Sequence, residues 1–174
     1  MNIFVDEHDS CQIDFTKTVW TIDNLHDIFS VVEGSLLSDV DFIAESKDKL
    51  LFIEYKNSNI KHVDKPKDFN SLSEDSINKV ARKYYDSLNF IQAIGGKRKR
   101  KKKIYIYLVE TPTSNKTTRK GIRNRLKKKL PFKLQEKNGL DNMITDVQVL
   151  SIDEWKQKYR KFPINRLKEP LRQN

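Results

Sequence analysis

Two short apolar runs on either side of a polar turn constrain the fold of this chain more than any other part of its sequence. Residues 40–44 (VDFIA) and 50–56 (LLFIEYK) are rich in β-branched and aromatic side chains, and the stretch between them contains the polar sequence SKDK. Such runs around a polar turn are typical of a β-hairpin. A turn centred on the Lys-Asp pair of that stretch would place Asp41 directly opposite Glu54.

Patterns along the rest of the chain predict a sheet mixed with helices. Apolar residues recur at helical spacing in residues 22–32 and 77–91, and the second run follows a capping-box pattern at residues 71–74. The predicted elements are helices at 22–32, 77–91, 117–130 and 153–159 and strands at 40–44, 50–56, 104–109 and 146–152. The type of structure in the first twenty residues stays open. Helices around a sheet whose first pair of strands is antiparallel predict an α/β or α+β fold.

Length and composition exclude several classes of protein. We expect a single domain over residues 1–174, with a tail from about residue 160, where prolines interrupt the pattern. Charged residues make up 33% of the chain, and no apolar run approaches the roughly 18 residues of a membrane span. The first ten residues are acidic, unlike a secretory signal, so we expect a cytoplasmic protein. One cysteine, Cys11, and three histidines are too few for an internal disulfide or a Cys/His zinc site.

Positive charge is concentrated in residues 97–129, called the basic band below. The formal net charge of the chain is +10, and the basic band contains fifteen Lys and Arg against one acid, Glu110. The remainder of the chain is therefore mildly acidic. This asymmetry favours a polyanionic partner, most simply nucleic acid. The residues expected to bind it are Lys97, Arg98, Lys99, Arg100, Lys101, Lys102, Lys103, Lys116, Arg119, Lys120, Arg123 and Arg125.

The predicted hairpin brings two carboxylates together. Side chains directly opposed across antiparallel strands have Cβ atoms about 4.5–5.5 Å apart, and like charges there are destabilising unless something compensates. A divalent cation between Asp41 and Glu54 would compensate, and carboxylate oxygens completed by substrate phosphates suit Mg²⁺, for which Mn²⁺ can substitute. Lys56 shares a face with Glu54 and could hold or deprotonate an attacking water. Asp39, on the same face as Asp41, is the reserve metal ligand; in a purely structural alternative, Lys56 forms an ordinary cross-strand ion pair.

The segment around these residues resembles a known family of enzymes. Residues 33–56 contain an aspartate, Asp41, followed on the next predicted strand by Glu54, Tyr55 and Lys56. This arrangement resembles the core of the PD-(D/E)XK nucleases, the restriction-endonuclease-like superfamily. The resemblance implies an αβββαβ core with a mixed central sheet flanked by helices. It also implies metal-dependent hydrolysis of DNA, with the two acids as metal ligands and the lysine serving the attacking water.

The resemblance extends to supporting residues on the neighbouring helices. Many members carry a glutamate on the helix before the aspartate, and Glu33 stands where that residue is expected. Members often carry another polar residue on the helix after the lysine strand, a part for which Lys79 or Lys83 is the candidate. The resemblance thus implies Asp41, Glu54, Lys56 and Glu33 as catalytic residues, with Lys79 in reserve.

The leading hypothesis is therefore a Mg²⁺-dependent endonuclease, with DNA rather than RNA as the expected substrate and the basic band on the phosphate backbone. We expect no membrane partner, and a homodimer stays open. The alternative is a non-catalytic basic module that binds nucleic acid, or another acidic partner, without cutting it. A third hypothesis is a structural basic protein that contacts RNA in a larger assembly. Metal-dependent cleavage would separate the first hypothesis from the other two.

Overall fold

In the part of the chain that the structure describes, five α-helices, eight strands and one short 3-10 helix form a mixed α/β fold around a central sheet. The structure is a computed structural model that describes residues 2–6, 9–58, 72–111 and 114–167. In chain order the elements are β1 (Ile3–Val5), β2 (Cys11–Asp14), β3 (Trp20–Ile22), α1 (Leu25–Ser30), β4 (Phe42–Glu45), β5 (Lys49–Asn57), α2 (Glu74–Ile94), the 3-10 helix (Gly96–Arg100), β6 (Lys102–Glu110), α3 (Lys116–Lys129), α4 (Phe132–Asn138), β7 (Asp146–Leu150), α5 (Ile152–Lys158) and β8 (Ile164–Arg166).

The central sheet has five strands in the order β3-β4-β5-β6-β7. The predicted hairpin is confirmed: β4 and β5 are antiparallel, with Phe42 opposite Ile53 and Glu45 opposite Leu50. Strands β5, β6 and β7 are parallel to one another, and β3 is antiparallel to β4 at the other edge. The mixed sheet with helices confirms the predicted α/β class, and the observed register places Asp41 opposite Glu54, one position beyond the paired residues.

The two faces of the sheet pack against different layers because successive side chains of a strand point to opposite sides. Phe52 and Tyr105 lie in a buried cluster with Tyr84 of α2. On the other face, Ile53 lies in a second cluster with Trp155 of α5. The small antiparallel sheet β1-β2-β8 supplies further residues to this second cluster. The polar residues of β5 are therefore assigned to a side of the sheet by their position alone.

Helix α2 is the longest element and covers the face that carries Glu54. Its first turn is capped by Ser73, whose side chain accepts a hydrogen bond from the backbone N–H of Ser76 at 3.2 Å. The predicted capping box began at residue 71, which lies outside the described residues; the observed cap is two residues later. The helix ends as predicted at Gly95, where a φ of 70° suits glycine.

Two sequence predictions are wrong. Residues 22–32 do not form one helix, because Ile22 pairs with Ile43 in the sheet and α1 ends at Ser30. The apolar spacing that suggested a longer helix includes Val32, which is 63% exposed. The tail expected from about residue 160 is also incorrect for its first part, since β8 pairs with β2. Both misplaced segments form edge strands of three residues, too short for a clear alternation pattern.

Within the described residues, no helix combines the length and apolar character needed to cross a membrane.

Candidate active site

Asp41 lies at the end of the hairpin ladder, immediately before β4. Its Oδ2 accepts a hydrogen bond of 2.7 Å from the backbone N–H of Tyr55 on β5. The carboxylate therefore extends the pairing of the two strands by one position and is held against β5 beside Glu54. This contact orients the aspartate through Oδ2. Its other oxygen, Oδ1, faces the ammonium group of Lys83 on α2.

The loop that leads into Asp41 is anchored to α2. The backbone N–H of Ser38 donates to Oδ2 of Asp86 at 2.9 Å, and the N–H of Val40 donates to Oγ of Ser87 at 3.1 Å. Ser87 is fully buried, so its hydroxyl is a fixed acceptor. Helix α2 thus positions the aspartate through the backbone of the residues that precede it.

Glu54 lies on the α2 side of β5, with only 7% of its side chain exposed. The ammonium group of Lys83 on α2 is 2.8 Å from its Oε1 and 2.9 Å from its Oε2. The same Nζ is 3.8 Å from Oδ1 of Asp41. Two carboxylates and one ammonium group therefore form a compact, partly enclosed cluster. Of the two helix lysines considered from the sequence, Lys83 is the one that joins it.

The electrostatics of the cluster follow from its burial. Burial, together with the neighbouring charge of Asp41, raises the pKa of Glu54 well above its usual value, and the ammonium of Lys83 offsets part of this effect. Burial alone would lower the pKa of Lys83, but the carboxylates of Glu54 and Asp41 outweigh it and raise that pKa. The ammonium of Lys83 faces both carboxylates, and the charge of Lys56 also lowers the pKa of Glu54; a divalent cation would neutralise the pair more completely.

The remaining predicted site residues occupy more varied positions. Lys56 is exposed and lies on the same face of β5 as Glu54 by strand alternation. Asp39 is partly buried; its Oδ1 is 3.4 Å from Nδ1 of His26, and its charge contributes to the raised pKa of Lys83. Asp39 therefore borders the cluster, and its role as a reserve ligand stays a prediction.

Two predicted supporting residues are exposed. Glu33 lies in the turn after α1, which ends three residues earlier, so it is not on a helix as the resemblance implied. Lys79 is on the surface of α2, one helical turn before Lys83. Among the described residues, no three His, Cys, Asp or Glu side chains are arranged to hold a metal ion, so Glu33 does not join Asp41 and Glu54.

Part of the basic band is committed to internal contacts. Glu45 is buried in β4, and its two oxygens are 2.8 Å from Nε of Arg98 and 2.7 Å from Nζ of Lys101. Lys103 is fully buried, and its ammonium donates to the backbone carbonyls of Lys99 and Lys101. The predicted contact of Lys103 with nucleic acid is therefore wrong, because its side chain has no exposed surface.

The exposed residues of the first basic run lie far from the carboxylate pair. The N–H of Lys102 donates to the carbonyl of Asp48, so this run meets the hairpin turn at the beginning of β5. Glu54 is five residues further along β5, a distance of roughly 16 Å. The exposed members of this run, called the turn-side cations, are Lys97, Lys99, Arg100 and Lys102.

The second basic run forms α3, as predicted. Its arginines make internal contacts: Arg119 forms two hydrogen bonds with Glu154, Arg123 contacts Asp146 and the carbonyl of Val147, and Arg125 contacts the carbonyl of Leu72. Lys116 and Lys120 are exposed at the beginning of the helix. Helix α3 starts after the C-terminal end of β6, which runs parallel to β5. These two lysines therefore lie toward the end of the sheet where the parallel strands have their C-termini, and Glu54 lies in the C-terminal half of β5.

Sequence reasoning did not identify the anchoring residues of the site. Asp86 and Ser87 belong to no recognised motif. A signal was available for Ser87, a small polar residue on the apolar stripe of α2. Such a residue among buried apolar positions indicates a hydrogen bond to a neighbouring segment.

Comparisons with protein-family models, with curated proteins and with solved structures find no match to this chain.

Proposed function

We propose that this protein is a Mg²⁺-dependent nuclease of the PD-(D/E)XK type that hydrolyses phosphodiester bonds in DNA. The observation that carries the proposal is the pair of carboxylates, Asp41 and Glu54, held side by side on adjoining strands and enclosed by α2. Two carboxylates held this close, one of them buried, repel each other, and a bound divalent cation would offset that repulsion. Lys56 follows Glu54 on the same face, which completes the Asp…Glu-x-Lys set.

The donor groups fit a magnesium ion. Asp41 and Glu54 would hold it through carboxylate oxygens, the ligands that Mg²⁺ prefers, and the two-ligand arrangement leaves positions for water and substrate phosphates. When bound, the ion would lower the pKa of water and neutralise negative charge that develops on the phosphodiester. The side chain of Lys56 would hold the attacking water as an ammonium donor, or take a proton from it as the neutral amine.

The order of elements supports a restriction-endonuclease-like core. The antiparallel strands β3, β4 and β5 are followed by α2 and then by β6, parallel to β5. This succession agrees with the βββαβ part of the implied core. The first helix of that core is expected before the strands, whereas α1 lies between β3 and β4. The catalytic part of the resemblance is therefore better supported than its N-terminal part.

Exposed lysines at both ends of the sheet favour a nucleic-acid substrate. Lys116 and Lys120 lie toward the C-terminal end of the parallel strands, as Glu54 does. The turn-side cations lie at the other end of these strands. Contacts of these side chains with phosphates would provide affinity without sequence preference. The spacing of the two groups suits an extended polyanion better than a small phosphorylated molecule.

The test is cleavage of supercoiled plasmid and of single-stranded DNA by the wild type and by Glu54→Gln, with Mg²⁺, with Mn²⁺ and with a chelator. We expect metal-dependent cutting by the wild type and loss of at least about a thousandfold in the variant, with DNA binding retained. Glu136→Gln, which replaces an exposed glutamate on α4, is the matched control. Equal cutting by wild type and Glu54→Gln would contradict the proposal.

One observation favours the alternative of a non-catalytic binding module. Lys83 already pairs with both carboxylates, so the cluster has an internal counter-ion. In a binding module this ion pair would be purely structural, and the exposed lysines would remain the functional surface. Binding of DNA without cutting, with every metal and every substrate form, would make this alternative the better account.

A further inference from the structure

The ammonium group of Lys83 lies in the space where a cation bridging Asp41 and Glu54 would bind. Its Nζ is nearly equidistant from the two oxygens of Glu54, at 2.8 Å and 2.9 Å, and is 3.8 Å from Oδ1 of Asp41. The ammonium therefore contacts both carboxylate oxygens of Glu54 and also faces Asp41. Mg²⁺ needs oxygens at about 2.0–2.1 Å, so an ion bound to both acids would compete with this ammonium for the same oxygens.

The two partners of this ion pair differ in their freedom to separate. Glu54 projects from the centre of a sheet strand and only 7% of its side chain is exposed, whereas 31% of the Lys83 side chain is exposed. A lysine ammonium is carried by a flexible four-carbon stem and can move along a surface toward water. Lys83 is therefore the group that can leave, while Glu54 stays in place.

We propose that Lys83 is a resident counter-ion whose ammonium occupies the gap between Asp41 and Glu54 and must be displaced before a divalent cation can bind there. The inference rests on the proposed function. It adds a mode of regulation: the free protein binds the metal weakly, because each metal ion has to replace an existing ion pair. A phosphodiester that approaches the cluster offers the displaced ammonium a new anionic partner, so substrate and metal favour each other's binding.

The experiment measures Mn²⁺ binding alone, from the electron paramagnetic resonance signal of free Mn²⁺, in the intact chain. The variants are Lys83→Met and Lys83→Gln, which remove the charge, and Lys83→Arg, which keeps it. Lys79→Met is the matched control, since it removes an exposed charge from the same helix. Circular dichroism verifies folding, and the glutamine variant retains a neutral hydrogen-bond donor to Glu54 if the methionine variant unfolds.

We expect both neutral variants to bind Mn²⁺ at least about tenfold more tightly than the wild type, because a like charge within 4 Å is removed from the site. Lys83→Arg should stay within about threefold of the wild type, and so should Lys79→Met. Neutral variants that bind Mn²⁺ no more tightly than Lys79→Met would overturn the inference. An arginine variant as tight as the neutral ones would also overturn it, since charge would then not be the cause.

A further variant distinguishes failure of this inference from failure of the proposed function. Glu54→Gln should abolish Mn²⁺ binding if the carboxylate pair is the metal site. Loss of binding in Glu54→Gln, without tightening in the neutral Lys83 variants, overturns only the counter-ion role. Unchanged Mn²⁺ binding in Glu54→Gln overturns the metal site, and the counter-ion role with it.

Discussion

At the scale of single residues, three lysines of this chain have sharply different environments. Lys56 is exposed at the end of a buried strand, Lys83 is paired with two carboxylates, and Lys103 is fully enclosed. Burial without an acidic partner lowers the pKa of Lys103 to about 8. The same residue type thus provides a candidate catalytic group, a counter-ion and a buried hydrogen-bond donor to carbonyls.

The buried lysine predicts a dependence of stability on pH. The pKa of Lys103 falls from 10.5 to about 8 on folding, so between these pH values the unfolded chain binds a proton there that the native protein has lost. Raising the pH through this window therefore favours the native state. Relative to Lys103→Met, the free energy of unfolding of the wild type should rise by about 1–3 kcal/mol from pH 8 to pH 10.5.

Urea unfolding of both proteins across that pH range checks this prediction. The comparison is made with Lys103→Met because the buried tyrosines also make stability depend on pH. Burial raises the pKa of Tyr84 and Tyr105 well above the usual value, so at high pH these tyrosines ionise more readily in the unfolded chain than in the native protein. Both proteins contain these tyrosines, so their contribution cancels. A difference in stability that does not change with pH would show that the lysine keeps its proton in the native state.

Replacement of Lys56 should lower the rate of DNA cleavage and leave the protein folded. Lys56→Ala removes an exposed side chain whose charge also favours ionised Glu54, so the free energy of unfolding should change by about 1 kcal/mol or less. The rate of DNA cleavage should fall by about a hundredfold to ten-thousandfold, the usual contribution of a group that transfers a proton. Lys156→Ala, at another Glu-x-Lys sequence on the surface of α5, is the control and should cleave normally. Equal rates in the two variants would exclude Lys56 from the reaction.

At the scale of secondary-structure elements, α2 organises the candidate site. It contributes Lys83 to the carboxylate cluster and anchors the loop before Asp41 through Ser87. Its buried side packs against the sheet, where the hydroxyl of Tyr105 donates to the carbonyl of Val80 at 2.7 Å. One helix therefore anchors the loop before Asp41 and contacts Glu54 on β5, and changes on this helix should affect activity as well as stability.

Substitution of the loop anchor tests this role of α2. Ser87→Ala leaves the buried N–H of Val40 without its acceptor, which should lower the free energy of unfolding by about 1–3 kcal/mol. It should also reduce DNA cleavage by about tenfold or more, because Asp41 follows immediately and loses its fixed position.

The matched control for this substitution is Ser73→Ala, which removes the N-cap of the same helix. It should cost about 0.5–2 kcal/mol of stability, and cleavage well below the melting temperature should be unaffected. Urea unfolding and initial cleavage rates measure both quantities. If the two variants lost activity in proportion to their stability alone, the positioning role of Ser87 would be disproved.

At the scale of the whole molecule, the exposed positive charge is divided between two ends of the sheet. The turn-side cations lie near the hairpin turn. Lys116 and Lys120 lie toward the other end of the parallel strands, the end to which Glu54 is closer. Several arginines between them are engaged with acids or carbonyls of the protein itself. The net charge therefore overstates the number of side chains available to a polyanion.

The salt dependence of DNA binding should report these two groups separately. The logarithm of the binding constant falls with the logarithm of salt concentration by about 0.9 for each phosphate contact on duplex DNA. Replacing Lys116 and Lys120 by glutamine should reduce this slope by up to about 2 and slow cleavage. Replacing the turn-side cations should reduce the slope on long duplexes with a smaller effect on cleavage. Fluorescence anisotropy at several salt concentrations measures the slope, and an unchanged slope would remove the group concerned from the binding surface.

The local features of this fold could be predicted because they depend on residues close in sequence. The two apolar runs at residues 40–44 and 50–56, with the polar turn between them, predicted the hairpin, its register and the opposition of Asp41 and Glu54. The spacing of apolar residues likewise predicted α2 and its end at Gly95. In these segments the backbone period alone assigns each side chain to a face.

Other features were decided only by the tertiary structure. Lys83 is 29 residues from Glu54, and no local pattern distinguishes it from Lys79 until α2 packs on the sheet. Lys103 belongs to a run of identical charges, yet the position of β6 encloses it while its neighbour Lys102 stays exposed. Long-range packing selects which of several equivalent lysines is buried, paired or exposed, because burial and charge pairing depend on neighbours in space and not in sequence.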